Sequence, residues 1–140
     1  MDEVLIDTNV LVYAHQTEDL RKRTRAVEII KQLGENGRGR LSAQILAEFV
    51  KVTTTGRRRA LTIDVARVQI ESLMRMFIIF DVTPFIVLEA ASGVREHRLS
   101  YYDAQIWATA KLHQVATIFT EDFTDGRVVE GVRFVNPFLH

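Results

Sequence analysis

Four acidic side chains stand out for separate reasons: Asp7, Glu48, Asp103 and Asp122. Asp7 follows Val4-Leu5-Ile6, an apolar run with β-branched ends that reads as a buried strand. Asp122 closes Thr120-Glu121-Asp122, just past a second strand-like run from Val115 to Phe119. Glu48 lies on a helix predicted from Ala43 to about Thr53, whose buried face is marked by Ile45, Phe49 and Val52. At 100° per residue, Glu48 falls within about 60° of both Ile45 and Val52. Asp103 opens a helix from Tyr101 to about His113, four residues before Trp107. Each acid also has a plain structural role open to it. Asp7 or Asn9 can cap the next helix, Glu48 can reach solvent from a flank, and Asp103 can compensate the helix dipole.

Brought together, these carboxylates repel and cannot all stay ionised without a cation. The chain has no cysteine and no paired histidines, so the cation should be hard, with magnesium or manganese held by carboxylates and water. Such a site can hold a phosphate oxygen, lower the pKa of a bound water and stabilise a leaving oxygen. The chemistry favoured is metal-dependent phosphodiester hydrolysis.

The surrounding elements must place the acids. Strand-like and helix-like segments alternate along the chain. Helices are expected from Val10 to His15, about Leu20 to Leu33 with Ala26, Ile29, Ile30 and Leu33 as its apolar face, and Ile63 to about Met76. Val65, Val68, Ile70, Leu73 and Met76 are the core candidates of that third helix. Another helix follows Thr83-Pro84 and runs to about His97. Arg40-Leu41, Phe77 to Val82 and Val132 to Val135 add strands, and Ser42, Thr62 and Ser100 are read as N-caps. Alternation of this kind predicts an α/β fold, a three-layer α/β/α sandwich with a central parallel sheet of four or five strands. The carboxyl ends of all strands then share one edge. If the Val115–Phe119 strand lies beside the first, Asp7 and Asp122 meet at the switch point of the sheet.

At 140 residues the chain is expected to form one domain, residues 1–140. Hydrophobic content of 47% and charged content of 26% are ordinary for a globular protein. The formal net charge is zero, so a nucleic-acid partner needs a local basic patch. One candidate is Lys51 with Arg57, Arg58 and Arg59, near the end of the Glu48 helix and just beyond it. It is either a solvated loop or a phosphate-contacting rim. No apolar run reaches membrane-spanning length, and the start lacks a basic region followed by an apolar one. A cytoplasmic location is the expectation.

The motifs resemble those of PIN-domain ribonucleases, and specifically of VapC-type toxins of type II toxin–antitoxin pairs, over essentially the whole chain. Leu5 to Ala14 matches the first motif, Ser42 to Phe49 the second, Leu99 to Ile106 the third, and Thr120 to Phe123 with Asp125-Gly126 the fourth. The resemblance implies a PIN-like fold and an endoribonuclease using Mg²⁺ or Mn²⁺. Asp7, Glu48, Asp103 and Asp122 would form the acidic pocket, with Asp7 and Asp103 as direct metal ligands. Asn9 and Thr120 would orient carboxylates through hydrogen bonds, and Glu48 would position or deprotonate the attacking water. Glu121 competes with Asp122, which fits the motif better. The resemblance further implies RNA as substrate (tRNA or rRNA), a homodimer, and a small VapB-like antitoxin covering the groove.

Two other readings compete. A phosphatase with Asp7 as covalent nucleophile would want a second aspartate where Asn9 stands. A PIN-like domain that binds RNA or a partner without catalysis keeps the fold alone.

Overall fold

The computed structural model describes residues 2–140. The first strand, β1 (Val4–Ile6), is buried along its whole length, as expected of a parallel strand covered on both faces. Around it the chain lays down α1 (Thr8–Tyr13), α2 (Leu20–Glu35), β2 (Gly39–Ser42), α3 (Ala43–Thr54), α4 (Ile63–Met76) and β3 (Ile78–Phe80). It continues through α5 (Pro84–His97), α6 (Tyr101–Leu112), β4 (Thr117–Phe119), β5 (Val128–Val129) and β6 (Val132–Val135).

The sheet order is β3-β2-β1-β4-β6-β5. β1 pairs in parallel with β2 on one side and β4 on the other, with Ile6 opposite Phe119. The chain therefore steps twice to one side of β1 and then crosses to the other, which puts the switch point between β1 and β4. Helices α1 to α4 pack among themselves, while α5 packs on α6 and α6 lies on β4 and β6. The core is continuous from Leu5, Ile6 and Leu41 through Ile45 and Phe49 to Trp107, Ile118 and Phe134.

The sheet has one strand more than expected. β5 runs antiparallel to β6, and Glu130 and Gly131 between them both take positive φ, 48° and 85°. That is the geometry of a tight two-residue hairpin, hidden in the sequence because a glutamate holds the first turn position. The α4 core assignment also needs correction. Ala66 and Leu73 are buried and Ile70 half-buried, whereas Val65, Val68 and Met76 are exposed. α4 packs on α3 and meets the sheet mainly at its edge strand β3, so the sheet covers little of its apolar surface. Val52, expected on the buried face of α3, is likewise exposed, and Thr53 is buried instead.

Caps set the helix starts. Ser42, Thr62 and Thr83 each accept a bond from the backbone N–H three residues on. Asp19 does the same for α2 through the N–H of Lys22. Trp107 is fully buried, and its Nε1 donates to the Val129 carbonyl at 3.1 Å. It lies against Gly93 of α5, where an added Cβ would come within 2.7 Å of the indole ring. Among the described residues, no helix is long and apolar enough to cross a membrane.

Candidate metal centre

Asp7 leaves β1 at the switch point and is almost entirely buried, with 2% of its surface exposed. It does cap α1: Oδ1 accepts the Thr8 N–H at 2.7 Å. Oδ2 is then left for the site, and it accepts from the Thr120 hydroxyl at 2.8 Å. Capping and site chemistry are two uses of one carboxylate. Burial pushes its pKa up to about 7, against the pull of the Thr120 and Thr8 donors, and the charges of Asp122 and Glu48 push the same way.

Thr120 is the hub, buried just past β4. Besides donating to Asp7, its Oγ1 accepts from the Asp122 N–H at 3.1 Å and from Asn9 Nδ2 at 3.3 Å. Asn9 Nδ2 also donates to Asp122 Oδ2 at 3.1 Å. Partial burial raises the Asp122 carboxyl, the Asn9 donor opposes this, and the charges of Asp103 and Glu121 add to it.

Glu48 is half-buried on α3. Thr8 Oγ1 donates to its Oε2 at 3.2 Å, and Gln44 Nε2 to its Oε1 at 2.6 Å. Asp103 sits half-buried at the rim of α6. Ser100 occupies the N-cap position of that helix but makes no side-chain cap bond; its Oγ instead donates to Asp103 Oδ2 at 2.8 Å. That bond uses the hydroxyl proton, and the Ser100 oxygen accepts no backbone N–H of the helix.

Asp7 therefore feels the charges of Asp122 and Glu48, and Asp122 in turn feels that of Asp103. Thr8, Asn9, Val12, Glu48 and Asp122 line a cleft of about 260 Å³. Glu121 lines it too but is committed elsewhere. It accepts from the Tyr13 hydroxyl and from Lys22 Nζ, at 2.5 and 2.8 Å, which frees Asp122 as the acid facing Asn9.

The donor set fits a hard divalent cation. All four acids offer oxygen, and none of the ion pairs among the described residues involves any of them. Asn9 Oδ1 is buried without a hydrogen-bond partner, an acceptor that costs stability unless a cation or water meets it. The four carboxylates do not pack as tightly as a closed ligand set. Among the described residues, the one trio of metal-ligating groups with all ligand atoms within 4.8 Å is Glu96, His97 and Glu130. That trio lies at the other end of α6, where Glu130 is already paired with His97 and Lys111.

The basic residues divide. All four are exposed, but only Arg58 and Arg59 line a shallow cavity with His15 and Gln16. Gln16 also lines the acidic cleft, so this arginine pair adjoins the acids. Lys51 and Arg57 line neither. Sequence reasoning missed Thr8, Gln44 and Gln105. Gln44 stands one helical turn before Glu48, and Gln105 is a large polar residue in the small-residue stretch of α6; both signals were readable.

The architecture has parallels among solved structures. No curated protein matches the sequence. A toxin–antitoxin complex from Klebsiella pneumoniae has a chain similar to this one at 22% identity and TM-score 0.67, covering 96% of this chain and 98% of the other. Mycobacterium tuberculosis VapC20, described as a sarcin–ricin-loop-cleaving toxin, is 20% identical at TM-score 0.66, with 94% and 99% covered. FitAcB from Neisseria gonorrhoeae is 25% identical at TM-score 0.66, with 96% and 98% covered. The model of the PIN domain family matches residues 4–124, a span that holds all four acids, and the chain belongs to the PIN domain family.

Proposed function

We propose that this protein is a divalent-metal endoribonuclease that acts as the toxin of a toxin–antitoxin pair. The observation that carries the catalytic reading is Asp7, a carboxylate buried at the sheet switch point and pushed up to about 7 with no cationic side chain paired to it. Asp7 and Asp103 would ligate Mg²⁺ or Mn²⁺, with Asp122 and Glu48 completing the acidic pocket. The bound ion would neutralise the acids, hold a phosphate oxygen and lower the pKa of water.

This chain's own residues do the rest. Thr120 and the Thr8 N–H fix the two oxygens of Asp7. Asn9 holds Asp122 beside Thr120. Glu48, with an oxygen in reach of the cleft, orients the attacking water and takes its proton. Arg58 and Arg59 contact RNA phosphates flanking the scissile bond, and Lys51 and Arg57 contribute charge farther out. tRNA or rRNA is the substrate class.

Likeness in fold to chains from toxin–antitoxin complexes supports a VapB-like antitoxin partner. An apolar groove of about 450 Å³, lined by Leu11, Val27, Ile30, Leu73 and Met76, would seat part of it. Exposed Ile78, Phe85 and Leu88 offer apolar surface for a homodimer. The protein would work in the cytoplasm as one domain.

The test is brief expression of the chain in a bacterial host, with mapping of new RNA 5′ ends beside an Asp7→Asn control. Growth arrest with discrete 5′ ends that vanish in the control supports the reading. Normal growth with folded, soluble protein and no new ends refutes it.

A further inference from the structure

We propose that Gln44 is a positioning residue, holding Glu48 at a set distance from the first turn of α6, and that Gln105 and Tyr101 lock Gln44 in place. The inference rests on the reading of the four acids as a divalent-cation site and extends it to residues outside that set.

Two nearly buried glutamines on different helices face each other across the top of the sheet. Gln44 on α3 and Gln105 on α6 each expose 7% of their surface. Gln44 Nε2 donates twice, to Glu48 Oε1 at 2.6 Å and to the Tyr102 carbonyl at 3.0 Å. Gln44 Oε1 accepts from Gln105 Nε2 at 2.8 Å, and Gln105 Oε1 accepts from the Tyr101 hydroxyl at 2.8 Å.

The orientation of both amides is dictated by chemistry. An ionised carboxylate and a backbone carbonyl only accept hydrogen bonds. The Gln44 group facing them must be its NH₂, so its oxygen faces Gln105. Gln105 must then present its own NH₂ to Gln44 and its oxygen to Tyr101. Every donor in the chain points toward Glu48, and each polarises the next.

The Tyr102 carbonyl belongs to the peptide that leads into Asp103. One amide group therefore grips the side chain of Glu48 and the backbone beside Asp103 at once. Since α3 and α6 belong to different crossovers, no local backbone geometry fixes the spacing of these two acids. Gln44 does, while Thr8 holds the other oxygen of Glu48. A tie that only joined helices would not need to end on a carboxylate of the site.

The test uses purified full-length protein, with Mn²⁺ alone as the binding probe and RNA cleavage as the second readout. Gln44→Met keeps length and volume and removes both donors. It should weaken Mn²⁺ binding in calorimetric titration about tenfold and lower kcat about 10–100-fold. KM for RNA should stay within about twofold, because a buried residue makes no uniform contact with substrate. Gln105→Met should act in the same direction and more weakly. The double variant should be no worse than Gln44→Met, because Gln105 acts only through Gln44.

Wild-type Mn²⁺ affinity in folded Gln44→Met overturns the proposal, as do effects that multiply in the double variant. Should Gln44→Met fail to fold, Gln105→Met decides, and unchanged Mn²⁺ affinity there overturns it equally. A wild-type protein that binds Mn²⁺ but cleaves no RNA sinks the nuclease reading and leaves the titrations to judge Gln44. A wild-type protein that binds no Mn²⁺ sinks both.

Discussion

Asp7 is the residue on which charge, burial and capping converge. Burial disfavours its charge, and two neighbouring carboxylates add to the cost. The sign of the pH dependence follows. Its folded pKa of about 7 lies above the ordinary 3.8, so the folded state binds the proton more tightly than the unfolded state. The metal-free protein should lose stability as pH rises from about 4 to about 7. Asp7→Asn removes the ionisable group and keeps the side-chain shape and the acceptor for the Thr8 N–H, while its NH₂ replaces the oxygen that accepts from Thr120. In metal-free buffer at pH 8 it should melt higher than the wild type, and its own stability should depend less on pH across that window. Thermal melts at several pH values check this; an Asp7→Asn protein less stable than wild type at pH 8 counts against the buried, strained carboxylate. The same variant should lose about a thousandfold or more in cleavage, since several kcal/mol of charge stabilisation convert at about 1.36 kcal/mol per decade.

At the scale of elements, two contacts carry testable consequences. Gly93 lets α5 approach the Trp107 indole, and a methyl group there would fall 2.7 Å from the ring. Gly93→Ala gains helix propensity of about 1 kcal/mol but overpacks by about 1–3 kcal/mol. Trp107 is fully buried and hydrogen-bonded at Nε1, with no room to yield, so a net loss of stability is expected in denaturant titrations. The loop after α3 carries the arginines. Replacing Arg58 and Arg59 together by alanine should weaken single-stranded RNA binding uniformly across sequences and reduce its log–log salt slope by roughly 0.7 per lost phosphate contact. An unchanged slope would return this pair to the solvated loop. Arg57→Ala should change little, because Arg57 does not line the cavity beside the cleft.

These elements also show what could be read in advance. Caps and apolar periodicity placed the main helices and the parallel strands to within a few residues, because capping and hydrophobic spacing are local properties. The four acids could be singled out from their own segments: Asp7 and Asp122 follow strands, Glu48 lies near an apolar face, and Asp103 opens a helix. What escaped were outcomes of packing. The outward face of α4 depends on how little of the sheet lies beneath it, and the β5 hairpin turns on a glutamate at positive φ. Ser100, read as a cap, instead donates to Asp103 and makes no side-chain cap bond. Gln44 and Gln105 became meaningful only once α3 and α6 were seen to face each other.

At the scale of the whole molecule, a strand order that reverses between β1 and β4 joins segments more than a hundred residues apart in sequence, as the bond from Thr120 to Asp7 shows. The sheet edge is built by hydrophobic burial, and it holds Asp7 and Asp122 where burial disfavours their charged forms. Divalent metal should therefore stabilise the whole fold. At a free concentration of about 100 times Kd, linkage gives about 2.7 kcal/mol, or about 8 °C in Tm for a chain of this size. The gain should grow from pH 6 to pH 8, as the ion competes with fewer protons. Melting curves with and without Mn²⁺ measure it, and a Tm indifferent to metal at both pH values would contradict the coupling. The central claim, that Asp7, Glu48, Asp103 and Asp122 form a metal site that cleaves RNA, is tested most directly by purified protein and RNA in a Mn²⁺ titration, run beside Asp7→Asn and Asp103→Asn. Cleavage that rises with Mn²⁺, stops in chelator and is lost in both variants is the expected result. Cleavage that persists in chelator, or at the wild-type rate in either variant, would contradict it.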